Sequence, residues 1–183
     1  FLVQRLQTAP SLLAGGALAA VCPHPDHLLV FAVGADQRLH FAFFVHGQGW
    51  SAVAAAGGAQ DLIGAHGRLA AHAVSGTEVE VAALTDSGQL AIYPVRLSGT
   101  TWVPAARQVI ADPPALAGAP PALPANAVLQ PADGFRINPF GDLGIVRVPG
   151  QASSTVVCAG LRGGEARTLR WNAAGTDVWQ WFV

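Results

Sequence analysis

Residues 28–44, LLVFAVGADQRLHFAFF, decide how this chain folds. Two apolar stretches flank a short polar turn at 34–37, and GQGW at 47–50 closes the unit. Apolar stretches of this length around a turn of glycine and small polar residues are typical of a β-hairpin. Two further copies follow, VEVAALTDSGQL at 79–90 with GTTW at 99–102, and a looser TVVCAGLRGGEAR at 155–167 with GTDVW at 175–179.

The spacing of the copies predicts the architecture. Trp50 and Trp102 lie 52 positions apart, and a repeat of about 50 residues that holds several short strands is typical of a β-propeller blade. The sequence therefore predicts one all-β domain over residues 1–183, a β-propeller or partial β-propeller of three to four four-stranded blades. We place these blades at about 17–54, 67–109 and 143–183.

Two stretches of the chain fall outside the blades. Residues 111–124, ADPPALAGAPPALP, hold five prolines, which cannot donate to a sheet ladder, so we predict an inserted Pro/Ala-rich loop there. The second stretch, Phe1–Arg5, resembles a strand without its partners. Three recognisable blades are fewer than the four of the smallest common propellers. We therefore expect a second copy, another protein chain or a missing part of the polypeptide to complete the ring.

Charge argues against two classes of partner. The formal net charge is −1, and the ten basic residues are all arginine and are scattered along the chain. Binding to a phosphate backbone or to an anionic membrane surface needs clustered cations, so we expect no nucleic acid partner. The apolar run from Pro10 to Val21 is too short to span a bilayer, so we expect no membrane insertion.

Two cysteines, Cys22 and Cys158, lie far apart in the sequence. One disulfide between blades is one interpretation, and two small buried apolar side chains is the commoner alternative. The cysteines therefore do not identify the cellular compartment, although a secreted protein or a part of an extracellular assembly is slightly favoured.

The stretch VFAVGADQRLH at 30–40, followed by GQGWS at 47–51, resembles the repeat of bacterial β-propeller lectins of the tectonin-like and fucose-binding-lectin-like groups. Members of these groups bind monosaccharides between adjacent blades, with an aromatic ring against the sugar and with arginine and carboxylate groups on its hydroxyls. The resemblance implies glycan binding by residues at matching positions. These are the blade-end tryptophans Trp50, Trp102 and Trp179, and Arg38 and Gln89, each one position before a repeat leucine.

A blade-end tryptophan has a second interpretation. Large aromatic side chains are usually buried, with the indole N–H bonded to a neighbour, and such a residue packs the fold without touching a ligand. Both interpretations stay open for all three tryptophans.

Catalytic and metal-binding patterns receive no support from the residues. The repeated box of sialidases is absent, because its Ser and Asp positions are occupied by Val95 and Leu97. The run His24-Pro-Asp-His27 lies on a predicted turn with too few ligands for a transition metal. We therefore predict no catalytic residue, metal or cofactor. The leading function is a non-enzymatic, lectin-like carbohydrate-binding module, and the alternative is a structural or protein-interaction propeller subunit of a larger assembly.

Overall fold

The computed structural model describes Leu12 and residues 16–64, 68–86, 89–109 and 143–147 in full, together with the backbone of the strands at 154–159, 166–171 and 178–181. Both the predicted loop at 111–124 and the strand predicted at Phe1–Arg5 lie outside the described residues. Every regular element in the described part is a β-strand. That part contains no helix with the length and apolar character needed to cross a membrane.

The first blade contains five strands, β1 Leu18–His24, β2 His27–Val33, β3 Leu39–Val45, β4 Gly49–Trp50 and β5 Ala54–Ala55. They form an antiparallel meander in the order β1-β2-β3-β4, and the short β5 also pairs with β3. The polar turn between β2 and β3 adopts a tight conformation in which Gln37 has a φ of 60°.

The second and third blades repeat this meander. Their strands are β6 Leu69–Ser75, β7 Glu78–Leu84, β8 Leu90–Ser98, β9 Thr101–Pro104, β10 Gln108–Val109, β11 Leu143–Arg147, β12 Ser154–Ala159, β13 Ala166–Trp171 and β14 Val178–Trp181. The second sheet has the order β10-β8-β7-β6, with β9 also paired to β8, and the third has the order β11-β12-β13-β14.

The outermost strand of the first two blades is broken into two pieces. In the first blade, the Ser51 hydroxyl accepts a hydrogen bond from the N–H of Phe43 at 3.0 Å and donates to the carbonyl of Ala52 at 2.9 Å. The side chain thereby replaces a backbone partner in the ladder. In the second blade, the break falls beside Pro94, which has no N–H to donate and accepts from Ala105 at 2.8 Å.

The best-packed region is a core between the first two blades. Strand alternation sends the odd-numbered side chains of β2 and β3 toward the odd-numbered side chains of β7 and β8. The first strands of successive blades also pack together, β1 against β6 and β6 against β11. Three blades arranged in this way form a partial β-propeller. The buried core residues are Leu29, Phe31, Val33, Leu39 and Phe41 from the first blade, and Val79, Val81, Ala83, Ala91, Tyr93, Val95 and Trp102 from the second, with Ala56 and Ile63 from the segment between them.

Cys22 corrects one expectation. It is free and exposed on β1, so it is neither buried nor in a disulfide. The alternation of β1 explains this, because Ala19 and Val21 pack against the core while the intervening positions face outward. Cys158 lies on β12, of which only the backbone is described.

Candidate functional site

Arg38 and Gln89 occupy the same position in successive blades. The N–H of Gly34 donates to the carbonyl of Arg38 at 2.9 Å, and the N–H of Thr85 donates to the carbonyl of Gln89 at 2.8 Å. Each of these bonds closes the turn between the second and third strands of its blade. The repeat seen in the sequence is therefore present in the hydrogen bonds.

A short segment, 62–64, joins these two turns. The N–H of Ile63 donates to the carbonyl of Gln37 at 2.7 Å, and the N–H of Asp86 donates to the carbonyl of Leu62 at 3.2 Å. Ile63 itself is fully buried. The structure thus brings the turn of Arg38 and the turn of Gln89 to either side of one connection, at one end of the blades.

A polar cluster lies beside this connection and is formed by Arg38, Gly57, Asp61, Tyr93 and Arg107; we call it the junction cluster. Nη2 of Arg38 donates to the carbonyl of Gly57 at 2.8 Å. Oδ1 of Asp61 lies 2.8 Å from Nη2 of Arg107. A Cβ atom on Gly57 would lie 2.9 Å from Oδ2 of Asp61 and 3.1 Å from Cε1 of Tyr93, so only glycine allows this close approach.

Two donors of the junction cluster are buried without a hydrogen-bond partner among the described residues. They are Nε of Arg38 and the hydroxyl of Tyr93. Burial raises the pKa of Tyr93; the nearby Arg107 guanidinium opposes this rise, and the carboxylates of Asp61 and Asp86 add to it. Buried polar groups normally find a partner. Both atoms are inaccessible to solvent, so the cluster keeps two polar groups inside the packing between the blades.

The predicted tryptophans lie elsewhere. Trp102 is 2% exposed, and its indole N–H donates to Nδ1 of His27 at 3.1 Å. Trp50 is half-buried, with its ring tilted against Phe44 at a centroid distance of 5.6 Å. Trp179 lies on β14, of which only the backbone is described.

These positions divide the predicted site residues into two groups. Arg38 precedes the first residue of β3, whereas Trp50 pairs with Phe44 near the other end of that strand. Six residues at roughly 3.3 Å each separate them by about 20 Å along the strand. One monosaccharide cannot reach across this distance. Arg38 and Gln89 thus share one end of the blades, and Trp50 and Trp102 share the other.

Sequence reasoning missed four members of the junction cluster. Gly57 and Asp61 lie in the connection between blades, and Arg107 lies between the two pieces of the outermost strand. Tyr93 is the single tyrosine of the chain. One feature of the sequence does indicate this cluster. The glycine pair at 57–58 is followed by Asp61, and glycines at such a place allow the backbone to approach a side chain closely.

A second polar pair lies at the same end of the first blade. Nε2 of His40, which is 7% exposed, is 2.9 Å from Oδ1 of Asp36. Partial burial raises the pKa of Asp36, but hydrogen bonds from the His40 ring and the Arg38 N–H, with the charges of both residues, outweigh it and leave that pKa lowered. Across the residues described, no three potential metal ligands converge.

Comparison with known proteins supports the fold. No protein-family model matches the chain, and no curated protein resembles it in sequence. Among solved structures, AofleA from Arthrobotrys oligospora is similar with a TM-score of 0.64 at 16% identity, over 94% of this chain and 42% of its own. The fungal lectin of Aleuria aurantia, described as a six-bladed β-propeller with a novel mode of fucose recognition, gives 0.53 at 13% identity, over 91% and 46%.

A mutant of the NanB sialidase from Streptococcus pneumoniae gives a TM-score of 0.50 at 13% identity, over 89% of this chain and 22% of its own. The chain thus spans less than half the length of each of these structures. The Aleuria aurantia protein is a fungal lectin, whereas the repeat in the sequence resembles that of bacterial lectins. At such low identities the likeness shows the fold alone: this chain forms three blades of a β-propeller.

Proposed function

We propose that this chain is a non-enzymatic carbohydrate-binding module of the lectin type, and that it holds glycans beside the junction cluster. The observation that carries the proposal is the convergence of Arg38, Asp61 and Arg107 beside the connection between the first two blades, at the end of the blades where Gln89 also lies. The fold likeness to fucose-binding lectins supports the same class of ligand.

The chemistry of the cluster suits sugar hydroxyls. A guanidinium offers several N–H donors in a fixed plane, and Arg38 has one of them held by Gly57 and another without a partner. Gln89, at the equivalent position one blade on, has an amide that both donates and accepts. We propose that Arg38 and Gln89 contact the glycan, and that Asp61 and Arg107 hold the connection in place beneath it.

Asp61 is poorly placed to act as a catalytic acid. One of its oxygens pairs with Arg107, and the other accepts from the N–H of Gly58 at 2.6 Å. Both oxygens are thus engaged in holding the connection between the blades, and Asp61 serves as a structural acceptor. This arrangement favours binding over glycoside hydrolysis, which needs a carboxylic acid free to give up its proton.

We propose a separate role for the tryptophans at the opposite end. Trp50 keeps part of its ring accessible, so it remains a proposed stacking surface for a sugar, and Trp179 is proposed in the same role by its place in the repeat. For Trp102 we propose packing, because its ring and its N–H are both engaged.

A glycan array with the protein displayed multivalently tests the proposal, since single-site affinities of lectins for monosaccharides are commonly weak. We expect reproducible binding that Arg38→Ala reduces at least tenfold. Arg96→Ala is the matched control, because it removes an exposed arginine that pairs with Glu78 at the far end of the second blade. Equal loss of binding in both variants, or a silent array with folded protein, would contradict the proposal.

The alternative function, a structural or protein-interaction subunit, is favoured by one observation. Apolar side chains are exposed on the blades, with Leu18 at 64% and Val103 at 45%. Exposed apolar side chains that gather into one patch mark contacts with other proteins. If folded protein binds no glycan on the array, this alternative function is favoured.

A further inference from the structure

The turn that carries Arg38 has an unusual backbone. Gln37, the residue before Arg38, has a φ of 60° and is the one non-glycine residue with a positive φ in the described part of the chain. This left-handed region is unfavourable for residues with a Cβ atom and persists where the surrounding structure holds it. The contacts of this turn therefore have to keep Gln37 in place.

The carboxylate of Asp36 ties the turn together. Its Oδ1 accepts a hydrogen bond from the N–H of Arg38 at 3.2 Å. Nε2 of His40 donates to both oxygens of the same carboxylate, at 2.9 and 3.0 Å. One side chain thus joins the backbone on the far side of Gln37 to β3, the strand on which His40 lies.

His40 is a firm anchor for this carboxylate. Its side chain is buried, and its strand pairs with β2 at Ala32 and with β5 at Ala55. Gly34 leaves the room that the pair needs, because a Cβ atom there would clash with Oδ1 of Asp36 and lie 2.7 Å from Cδ2 of His40. The pair of Asp36 and His40 is therefore part of the packing of the turn.

The second blade holds the equivalent residue with a different side chain. The N–H of Gln89 donates to the hydroxyl of Thr85 at 3.0 Å, and Thr85 takes the place of Gly34 in the hydrogen bond that closes the turn. In the sequence, the place of Gln37 is taken by Gly88, and glycine is the residue type that adopts left-handed backbone most readily. Arg38 and Gln89 thus each have their N–H held by a side chain of their own turn.

Arg38 is held at its backbone and at the end of its side chain. Asp36 accepts from its N–H, and the carbonyl of Gly57 accepts from its Nη2 at 2.8 Å. The carbonyl of the adjoining Gln37 accepts from the N–H of Ile63 at 2.7 Å. Fixing a long side chain in this way removes conformational freedom that a ligand would otherwise have to remove on binding. A change that frees the backbone of Arg38 should therefore release its guanidinium as well.

We propose that Asp36 and His40 are positioning residues for Arg38: they hold the left-handed turn at Gln37 and thereby keep the Arg38 guanidinium in the junction cluster. The placement of Arg38 does not depend on glycan binding. Only the effect of the pair on glycan affinity rests on the proposed function.

Hydrogen exchange of the Arg38 Nε–H, followed by NMR spectroscopy, tests the placement without any ligand. Nε is buried, so its proton should exchange slowly in the unaltered protein, and the signal that disappears in Arg38→Lys identifies it. We expect Asp36→Ala to speed this exchange by about tenfold or more. Asp26→Ala is the matched control, because it removes an aspartate 3.6 Å from a histidine in another turn of the same blade. The exchange rate should then stay within about twofold of that in the unaltered protein.

Two further substitutions separate the roles within the turn. Gln37→Gly makes the left-handed backbone favourable without help from Asp36, so adding it to Asp36→Ala should bring the exchange rate back to within about threefold of that in the unaltered protein. Gln37→Gly alone should change the rate little. His40→Ala leaves the carboxylate bonded to the N–H of Arg38, so it should speed exchange less than Asp36→Ala does. Circular dichroism of each variant checks that it is folded.

Affinity for the glycan that binds most strongly on the array gives a second readout. We expect Asp36→Ala to weaken this binding roughly fivefold, because the ligand then has to order Arg38 itself, and Asp26→Ala to leave it unchanged. If folded protein binds no glycan while Asp36→Ala still speeds the exchange of Nε–H, the proposed function fails and the positioning role stands.

Three outcomes would overturn the positioning role. Equal exchange rates in the unaltered protein and in Asp36→Ala would show that the carboxylate does not place Arg38. Equal acceleration in Asp26→Ala would show that the effect comes from a general loosening of the blade. No recovery on adding Gln37→Gly would show that the left-handed turn does not connect Asp36 to Arg38.

Discussion

The indole N–H of Trp102 donates to Nδ1 of His27 across the seam between the first two blades, at 3.1 Å. The two rings meet edge to face with their centroids 5.9 Å apart. The partners lie 75 residues apart in the sequence, and the tryptophan is almost completely buried. Trp102 therefore joins one blade to the next through both its ring and its N–H.

This seam predicts the effect of a conservative change. Trp102→Phe keeps an aromatic ring but removes the N–H, leaving the His27 nitrogen without this donor, so we expect a loss of roughly 1–2 kcal/mol in the free energy of unfolding. Urea denaturation measures it. His27→Ala in the Trp102→Phe background should then cost less than His27→Ala alone, and additive losses would show that the two rings are not coupled.

The crowding around Gly57 predicts a difference between two adjacent glycines. A Cβ on Gly57 would lie 2.9 Å from the Asp61 carboxylate, whereas one on Gly58 would be no nearer than 3.4 Å to any neighbour. We expect Gly57→Ala to destabilise the protein by about 1–3 kcal/mol, as overpacking commonly does, and to weaken glycan binding. Gly58→Ala should lie within about 0.5 kcal/mol of the unaltered protein in the same urea titration. Equal free energies of unfolding for the two variants would show that the side chains of the junction cluster move aside for a Cβ at little cost.

A buried pair in the second blade predicts a third result. Nε2 of His72 lies 3.0 Å from Oε2 of Glu80 on the neighbouring strand, and their side chains are 10% and 5% exposed. His72→Ala takes a hydrogen-bond partner from a buried carboxylate, so we expect a loss of roughly 1.5–3 kcal/mol. His24→Ala, which removes an exposed histidine 3.6 Å from Asp26, should cost less than about 0.5 kcal/mol. Thermal and urea unfolding of both variants measure the two losses, and equal losses would contradict the prediction.

Asp36 predicts a dependence on pH. Its pKa is lowered in the folded chain from a usual 3.8, so its contribution to stability is present above that value and is lost as the pH falls through the lower, folded pKa. Asp36→Asn should therefore be less stable than the unaltered protein at pH 6, and the difference should shrink below pH 4. Because 39% of the side chain is exposed, solvent screening keeps the effect small. Urea titrations between pH 2.5 and 6 measure it, and a difference that grows on acidification would contradict the assignment.

The strands were predictable from the sequence because each follows a local rule. Alternation and turn composition in residues 28–44 gave the hairpin of β2 and β3, and the spacing of the copies gave the propeller fold. The breaks in the outermost strands were not predicted, since they depend on where the Ser51 hydroxyl and Pro94 meet the neighbouring strand.

The candidate site was less predictable than the fold. Arg38 and Gln89 were found through their place before a repeat leucine, a local property of the sequence. Asp61 and Arg107 lie 46 positions apart and meet only because one blade packs on the next. The separation of Arg38 from Trp50 likewise follows from strand length, which a motif alone does not convey.

The core between the blades has a consequence for folding. Leu29 and Phe31 share one buried cluster with Val81 and Tyr93, which belong to the next blade, so a single blade has no closed interior of its own. The smallest unit able to fold cooperatively is then a pair of blades. A fragment ending near Ala56 would expose half of a core and remain unfolded, whereas one extended to Val109 contains both halves and should unfold in one transition.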